Sequence, residues 1–487
     1  MKAHTLSFDT IFTAGTIVDG SGAPPYHADV GIRQGRISAI GDLSQALSNE
    51  RIDCQGCMIT PGFIDSHTHD DGYLLTHPDM MPKVSQGITT VVTGNCGISL
   101  APVITSSPPQ PLDLLGPAEL FRFSSFSAWL NELKAQPAAV NVIPLLGHTS
   151  LRVAFMQDLQ RTANAQEITA MQRGVDEALA SGAFGLSSGL FYPPAAAATT
   201  TELLEVVQPM AALGTTIYAT HLRDEADFIL PAIDEALEIG AAARSTIVFS
   251  HHKLAGEHNH GRSRQTLARI DQASALQNVC LDCHPYPATS TMLRLDRVRL
   301  ASRTIVTWST AHPQYAGKDF ATLEKELGMG DEELLAYLSP AGAIYFLMHE
   351  QDIKRIFAYP LTMVGSDGLP FDPHPHPRQW GTFTRVLRTM VREQSLLNWQ
   401  QAIHKMTGLP ARQYRLHERG LIQENYHADL VIFNPDTVTD QATFEKPVQS
   451  SRGIQSVWVA GEQVWDGQQV TGKRPGQVLT PAHLRAS

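Results

Sequence analysis

The chain has 487 residues, of which 43% are hydrophobic and 17% charged, a composition that allows a large core and excludes a disordered protein. The formal net charge of -11 argues against nucleic acid as a partner, because binding phosphate requires a basic surface. No apolar run reaches the roughly 18 residues of a membrane-spanning helix, so no membrane association is expected. The N-terminal segment MKAHTLSFDTIFTAG lacks the basic and then apolar order of a signal peptide, which predicts a cytoplasmic location.

Both ends of the chain have the pattern of short strands joined by glycine turns. Near the N-terminus the turns are DGSGAPP and RQGR, and near the C-terminus the strand-like segments are ADLVIFNP and SVWVAGEQVWDGQQV. A sheet built from both ends would bring the termini together, as chain ends often are. We therefore expect a small domain from residues 1–60 and 416–487.

The middle of the chain alternates apolar, strand-like runs with helical segments, beginning with GITTVVTGN, FSAWLNELKAQ and NVIPLLGH. Buried parallel strands have such apolar runs, and their alternation with helices predicts an α/β fold with a parallel sheet. The length of about 350 residues suits a (β/α)8 TIM-like barrel over residues 61–415. An arginine-rich segment at about 286–350 interrupts the alternation and is predicted to be an inserted lid.

Polar side chains follow nearly every apolar run at the point where the predicted strand ends. Barrel enzymes collect their chemistry at the carboxyl ends of the strands, whereas an open doubly wound sheet uses one switch point, so this distribution favours the barrel. The residues at these positions are His67, His69, Cys96, His148, His221, His251, His284 and Asp367.

The first of these strand ends, GFIDSHTHDD, places Asp65, His67 and His69 two residues apart, which puts them on one face of a strand. One such pair of histidines is weak support for a metal site. Further groups at the other strand ends strengthen it, because thiolate, imidazole and carboxylate are all zinc ligands. We therefore predict a metal centre in which Cys96 takes part.

The other four cysteines form two CxxC spacings, Cys54 with Cys57 and Cys280 with Cys283. Such spacings occur in zinc ribbons, and CLDCH also has the spacing of c-type haem attachment. Haem attachment requires export, which the N-terminal segment does not indicate. The second pair lies in a predicted apolar strand, so we interpret these thiols as structural.

Taken together, the motifs resemble those of the amidohydrolase superfamily and, within it, the N-acyl-D-amino-acid deacylases. The resemblance covers essentially the whole chain and implies a barrel with a small β-sandwich built from both termini. The matching segments are PGFIDSHTHDD, SQGITTVVTGNCG, LLGHTSLR, ATHLRDE, SHHK, HPYPATSTML, VGSDGLPFDPHPHPRQWGTF, IVDGSGAPPYHADVGIRQGRISAIG and HADLVIFNP.

The resemblance also implies a metal arrangement. Many amidohydrolases bridge two metals with a carboxylated lysine, but between residues 97 and 220 this chain has only Lys134, in a helical segment. Cys96 takes that place. In the deacylases the tight zinc site is Cys, His, His, which corresponds to Cys96, His221 and His251 here. A second, weaker or empty position is then marked by His67, His69 and Asp367.

The same resemblance assigns the remaining roles. Asp367 is the expected general base, and Lys253 with Arg378 is the expected pair of cations for the substrate carboxylate. His284 stands where the family often has tyrosine, and Ser290 lies on the same loop. Period two places Lys253 on the face of His251, which leaves His252 packed behind the site.

The predicted substrate is an N-acyl-D-amino acid, and the D configuration rests on the resemblance alone. Four arginines, Arg294, Arg297, Arg299 and Arg303, occur within ten residues of the predicted lid. One branch of the deacylases prefers N-acyl-D-glutamate and has an arginine that matches Arg297. We therefore expect an N-acyl-D-glutamate preference and a contact from Arg297 to the side-chain carboxylate.

Four alternatives were weighed against this prediction. One is a deacylase for hydrophobic N-acyl-D-amino acids, another is an amidohydrolase acting on a cyclic amide, and a third is a metal-binding protein without catalysis. The fourth is a serine hydrolase, because GLSSG at residues 185–189 fits GxSxG. That motif requires a helix directly after the turn, and the prolines of LFYPPAAAA oppose one. The oligomeric state is left open.

Overall fold

The computed structural model describes residues 7–485, and the first part of the chain forms short strands. The predicted absence of a signal peptide depends partly on residues 1–6, which lie outside this range. The N-terminal strands are β1 (Ser7–Thr13), β2 (Thr16–Ile17), β3 (Tyr26–His27), β4 (Asp29–Arg33), β5 (Arg36–Gly41), β6 (Leu47–Asp53) and β7 (Met58–Pro61). Four of them form a sheet in the order β5-β4-β1-β6.

A second sheet combines strands from both ends of the chain. Its C-terminal members are β20 (Leu430–Phe433), β21 (Ile454–Val459) and β22 (Glu462–Trp465). The order is β22-β21-β20-β7-β2-β3, and β20 pairs antiparallel with β7 through Val431 and Thr60. Trp458 and Phe12 contact edge to face, with ring centroids 5.2 Å apart, which joins this sheet to the first one.

The centre of the molecule consists of parallel strands whose side chains are buried throughout, which explains their near-continuous apolar sequences. Three form the sheet β10-β9-β8, and six form the sheet β11-β12-β13-β14-β15-β19. Their bounds are β8 (Phe63–Asp65), β9 (Ile88–Thr93), β10 (Asn141–Pro144), β11 (Leu146–Gly147), β12 (Gly185–Gly189), β13 (Ile217–His221), β14 (Thr246–Phe249), β15 (Val279–Cys283) and β19 (Thr362–Val364).

Helices alternate with these strands and pack on them. Several begin with strong caps; Asn164, for example, forms a capping box with Glu167. The helices are α1 (Tyr73–Thr76), α2 (Met81–Val84), α3 (Phe126–Ala135), α4 (His148–Phe155), α5 (Ala165–Ser181), α6 (Pro193–Ala196), α7 (Thr200–Val206), α8 (Gln208–Ala211), α9 (Ile229–Ala242), α10 (Ser263–Ser274), α11 (Leu295–Leu300), α12 (Phe320–Leu327), α13 (Asp331–Leu338), α14 (Glu350–Ala358), α15 (Arg378–Arg385), α16 (Trp399–Met406) and α17 (Gly408–Gln413). A π-helix, Val386–Glu393, continues α15.

The segment between β15 and α14 has its own antiparallel sheet, in the order β16-β18-β17. Its strands are β16 (Ala288–Met292), β17 (Thr304–Ser309) and β18 (Ala341–Phe346), and it contains α11, α12 and α13. It therefore interrupts the alternation of parallel strands and helices.

The two parallel sheets approach each other at both of their edges. A single residue, Leu145, separates β10 from β11, and its amide donates to the carbonyl of Thr93 at 3.0 Å. On the other side, the amide of Ser66 donates to the carbonyl of Val364 at 3.3 Å, and Thr68 forms a parallel bridge with Gly368. Strand ends distant in sequence thus meet at one edge. Within residues 7–485, no helix has the length and hydrophobicity needed to cross a membrane.

Candidate metal centre and active site

Six buried side chains from the carboxyl ends of five parallel strands meet at one place. Their potential ligand atoms form two groups, in each of which all atoms lie within 4.8 Å of one another. Cys96 belongs to both groups. The first group is His67, His69, Cys96 and Asp367, and the second is Cys96, His221 and His251.

The distances show how closely the two groups are joined. The Cys96 thiol lies 3.3 Å from Nε2 of His67 and 3.2 Å from Nε2 of His251. Oδ1 of Asp367 lies 3.3 Å from Nε2 of His69 and 3.6 Å from Nε2 of His67. Six of the eight strand-end residues are therefore brought together around the sulfur, whereas His148 and His284 belong to neither group.

The backbone at three of these residues is left-handed. Cys96 has a φ of 53°, His251 of 36° and Asp367 of 52°. Non-glycine residues in this region cost on the order of 1–3 kcal/mol each and persist only where the surroundings enforce them. Each of the three follows a parallel strand within three residues, so the turn that ends the strand also aims the side chain into the site.

Several nitrogen atoms at the centre lack a hydrogen-bond partner within the described part of the chain. Neither ring nitrogen of His221 has one, and Nδ1 of His69 has none. Leaving buried polar atoms unpaired is costly, and a bound cation would satisfy them. The donor set of one thiol, four imidazoles and one carboxylate therefore fits a zinc-like ion, for which thiolate and imidazole are preferred ligands.

The electrostatics of the centre favour an ionised thiol and carboxylate. Burial opposes ionisation of Cys96, but His67 and His251 outweigh it and hold the pKa of the thiol well below its usual value. Burial likewise opposes ionisation of Asp367, and Arg378, at 2.8 Å, holds the pKa of the carboxyl well below its usual value. The same contacts raise the pKa of His67 and of His251 against the effect of burial, so a cation would bind there in place of protons.

The buried side chain of Lys83 binds Asp65 and Ser366 next to the metal centre, and no pattern in the sequence indicated this role. Its fully buried ammonium lies 3.0 Å from Oδ2 of Asp65, 3.2 Å from Oδ2 of Asp70 and 2.9 Å from the hydroxyl of Ser366. Asp65 also accepts from the amide of Ser366 at 2.7 Å. Asp65 is therefore not a member of either ligand group; it ties the end of β8 to the turn that carries Asp367.

Glu225 is a second buried residue that the sequence reasoning missed. Its Oε1 lies 2.6 Å from the ammonium of Lys253 and 3.1 Å from Nδ1 of His251, and Lys253 is itself 2.7 Å from that ring nitrogen. Burial opposes ionisation, but Lys253 and the histidines hold the pKa of Glu225 well below its usual value. Its position four residues after His221, in ATHLRDE, was the available signal.

Arg378 lies behind Asp367 and is fully buried. Besides the carboxylate, its guanidinium contacts Nε2 of His284 at 3.3 Å and donates to the carbonyl of Ser290 at 3.0 Å. Its Nη1 also donates to the hydroxyl of Thr289 at 3.2 Å. His284 thus stands beside Arg378.

A small cavity of about 20 Å³ lies next to the metal centre. Lys253, Ser290, Arg297 and Asp367 line it, whereas His284 and Arg378 lie one layer deeper. Phe191 forms another wall; its ring stacks on His221 with centroids 5.3 Å apart.

The residues that were not assigned to the metal centre on the basis of the sequence belong to neither ligand group. Nε2 of His252 contacts the hydroxyl of Thr266 on α10 at 2.9 Å. Ser187, the central serine of GLSSG, accepts from the amide of Gly97 within the sheet. Cys54, Cys57, Cys280 and Cys283 are free thiols, and burial raises the pKa of Cys54 to about 12.

Comparison with known proteins places the chain in a family. The sequence profile of the Amidohydrolase family matches residues 50–465, and the chain belongs to that family. It is 63% identical to the N-acyl-D-aspartate deacylase of Alcaligenes xylosoxydans xylosoxydans, over 97% of this chain and 95% of the relative.

Two solved structures are similar over nearly the whole length. The crystal structure of a D-aminoacylase has a TM-score of 0.95 and 53% identity, covering 97% of this chain and all of that one. The N-acyl-D-glutamate deacylase of Bordetella bronchiseptica, in complex with zinc and a phosphonate that mimics the tetrahedral intermediate, has a TM-score of 0.93 and 44% identity, with the same coverage. Hydantoinases match with 15% to 18% identity and TM-scores of 0.57 to 0.59, which shows a shared fold alone.

Proposed function

We propose that this protein hydrolyses the amide bond of N-acyl-D-amino acids with zinc, releasing a carboxylate and the free D-amino acid. The observation that carries the proposal is the meeting of Cys96, His221, His251 and Asp367 beside a small cavity that also contains two cations, Lys253 and Arg297. The similarity to deacylases of N-acyl-D-amino acids supports the same substrate class.

We propose that the parallel strands complete a (β/α)8 barrel over residues 61–415. The contacts between β10 and β11 on one side and between Ser66 and Val364 on the other support it. The sheets from residues 1–60 and 416–487 would form the small β-sandwich, and residues 286–350 would form the lid. Phe191, whose ring lies under arginines of that segment, supports a lid next to the cavity.

Cys96, His221 and His251 are the proposed tight zinc ligands, and His67, His69 and Asp367 the proposed second position. A bound zinc ion acidifies a water molecule and polarises the amide carbonyl. The cationic surroundings that favour a thiolate at Cys96 support the first assignment. Asp282, whose Oδ1 lies 3.4 Å from Nδ1 of His67, orients that ring from behind.

Asp367 is the proposed general base. It borders the cavity, so it can take the proton of the attacking water and then deliver it to the leaving nitrogen as the C–N bond breaks. Arg378, at 2.8 Å, fixes the orientation of the carboxylate and keeps it ionised before the reaction.

Lys253 and Arg378 are the proposed partners of the substrate's α-carboxylate. Lys253 lines the cavity, whereas Arg378 lies behind Thr289 and Ser290 of the cavity wall and donates to both. His284 would take the role that tyrosine has in many relatives, because its ring lies against the guanidinium of Arg378.

We propose an acidic side chain on the substrate, bound by Arg297. That guanidinium borders the cavity, and its neighbouring carboxylate is that of Asp296, 3.5 Å from Nε. N-acyl-D-glutamate is the substrate that the lid sequence predicts. N-acyl-D-aspartate is its competitor, because the identity to the N-acyl-D-aspartate deacylase is 63% and that to the N-acyl-D-glutamate deacylase structure is 44%.

The deciding experiment measures kcat/KM for N-acetyl-D-aspartate, N-acetyl-D-glutamate and N-acetyl-D-leucine, and for their L forms, with the zinc content of the same sample. We expect hydrolysis of D forms only, with an acidic substrate preferred. Arg297→Leu should reduce or reverse that preference, because leaving a charge unpaired in a partly desolvated site costs about 2–5 kcal/mol. Hydrolysis of none of the D substrates by the zinc-loaded protein would refute the proposal.

A further inference from the structure

The carboxylate of Asp296 lies next to Arg297, the arginine of the proposed acidic subsite, and next to its neighbour Arg294. Asp296, in the first turn of α11, accepts from Nε of Arg294 at 2.9 Å and from Nη2 at 3.3 Å, and it lies 3.5 Å from Nε of Arg297. The two guanidinium groups lie over the same ring, each 4.4 Å from the centre of Phe191. Phe191, Arg294, Arg297 and Asp296 thus form one charged group, of which Phe191 and Arg297 line the cavity and Arg294 and Asp296 lie beside them.

The partners in this group differ in accessibility. The side chain of Arg297 is 9% exposed and that of Arg294 is 26% exposed, whereas that of Asp296 is 50% exposed. The cations are therefore held in place against the ring, and the anion stands on the side open to solvent. An anion in that position can be displaced or repelled with little cost to packing.

The charges of these side chains determine the electrostatic forces on an anion that enters the cavity. Two guanidinium groups and one carboxylate give a net charge of about +1. A substrate carboxylate approaching Arg297 is attracted by the arginines and repelled by Asp296. A substrate with a neutral side chain has no such interaction, so the effect of Asp296 is confined to acidic substrates.

We propose that Asp296 is a specificity-determining residue that holds the arginine pair in the absence of an acidic substrate and competes with the substrate's side-chain carboxylate for it. This inference rests on the proposed function. Asp296 thus raises KM for acidic substrates. As a result, the difference in KM between acidic and neutral substrates is smaller than it would be without this carboxylate.

The test is Asp296→Asn, with KM and kcat measured on N-acetyl-D-aspartate, N-acetyl-D-glutamate and N-acetyl-D-leucine. We expect KM for the preferred acidic substrate to fall about two- to fivefold, the range of a partly exposed ion pair, with kcat within about twofold of the wild type. KM for the leucine substrate should stay unchanged. The decrease should shrink from about 10 mM to about 1 M salt, because ions screen the exposed carboxylate.

A matched control is Asp331→Asn. Asp331 also pairs with a lid arginine, Nε of Arg299 at 2.8 Å, but neither residue borders the cavity. It should leave all three KM values unchanged. Asp296→Ser removes the charge while keeping a short polar side chain in the first helical turn, and it should reproduce the decrease if Asp296→Asn folds poorly.

The outcomes separate the alternatives. A higher KM for the acidic substrate would show that Asp296 organises the arginines for binding, and would overturn the proposal. An unchanged KM, or an equal decrease for the leucine substrate, would overturn it as well. If the wild type hydrolyses no N-acyl-D-amino acid, the proposed function and this inference both fall; if it does and KM does not respond, this inference alone falls.

Discussion

Two buried polar clusters lie at the carboxyl ends of the central strands, and they differ in how their atoms are paired. In the metal centre, ring nitrogens of His69 and His221 have no partner in the described chain. In the other cluster, which we call the Glu202 cluster (His148, Arg152 and Glu202), nearly every polar atom is paired. Both clusters are buried, so the difference in pairing, together with the thiol and the four imidazoles, distinguishes the metal centre from a cluster that stabilises the fold.

The Glu202 cluster shows what complete pairing looks like. Oε1 of Glu202 contacts Nη1 of Arg152 and lies 3.2 Å from Nε2 of His148, and Oε2 accepts from the amide of Ala163 at 2.8 Å. Arg152 also donates to the carbonyl of Pro194 at 2.7 Å. The cluster therefore joins α4, α6, α7 and the segment before α5, and within residues 7–485 Nδ1 of His148 is its one unpaired side-chain atom.

Among the variants that test the difference between the two clusters, Cys96→Ala should have the largest effect. We expect loss of bound zinc and a decrease in kcat/KM of about a thousandfold or more, because metal stabilisation of the transition state amounts to several kcal/mol. Zinc content by elemental analysis and steady-state kinetics check this. Cys283→Ala, at a buried cysteine in β15, is the control and should keep both; a Cys96→Ala enzyme with one zinc per chain and normal turnover would contradict the assignment.

Asp367→Asn separates metal binding from proton transfer within the same centre. We expect zinc to remain, since the Cys96, His221 and His251 group is intact, while kcat falls by about 10²–10⁴-fold because proton transfer is lost. The measurements are zinc content and kcat on the preferred substrate. Retention of more than about a tenth of the wild-type kcat, with zinc in place, would remove Asp367 as the general base.

Glu202→Gln tests the paired cluster through stability. Breaking a buried ion pair typically costs about 3–5 kcal/mol, so the free energy of unfolding in urea at pH 7 should fall by that order. Burial alone would raise the pKa of Glu202, but His148 and Arg152 outweigh it and lower the pKa from 4.5 to about 2.

The pH dependence of this effect has a definite sign. A carboxyl with a depressed folded-state pKa stabilises the protein above its unfolded value and loses that contribution as pH falls through the folded value. The difference between wild type and Glu202→Gln should therefore be full above pH 4.5 and shrink between pH 4.5 and about 2. Zinc content at pH 7 should be unchanged. A difference that stays constant to pH 2 would contradict the ion pair.

The smallest expected effect is that of His148→Gln, which keeps a donor toward Glu202. We expect a loss of about 1 kcal/mol in unfolding free energy, the contribution of one hydrogen bond, with zinc content unchanged. Thermal unfolding and elemental analysis are sufficient. Loss of zinc from this variant would mean that the two clusters are not independent, and the comparison would fail.

The strand-end pattern predicted which residues meet, because the carboxyl ends of parallel strands share an edge whatever the details of the loops. It could not predict Lys83, whose role depends on contacts across the fold, such as that with Ser366, 283 residues away. It also missed Glu225, whose signal in the sequence is its position four residues after His221. A buried lysine between two aspartates has no local periodicity that would reveal it.

His251, and not His252, belongs to a ligand group, but the reason differs from the one that the sequence periodicity offered. Period two assumed an extended strand, and Lys253 does contact Nδ1 of His251. β14 ends at Phe249, however, and His251 has a left-handed backbone, so the contact arises from a turn. Sequence periodicity carries no information about such a turn when the residue is not glycine.

The left-handed backbone at Cys96, His251 and Asp367 also limits how the centre can be transferred to another protein. A designer who copied the six side chains onto the strand ends of an ordinary barrel would place three of them on extended backbone, aimed elsewhere. The turns would have to be copied too, together with the neighbouring backbone that packs against them. At Gly97, beside Cys96, that backbone is so close that an added Cβ would lie 2.7 Å from the amide nitrogen of Gly189. Transferring the metal centre to another protein therefore requires the loops that carry its side chains and the strands that neighbour those loops.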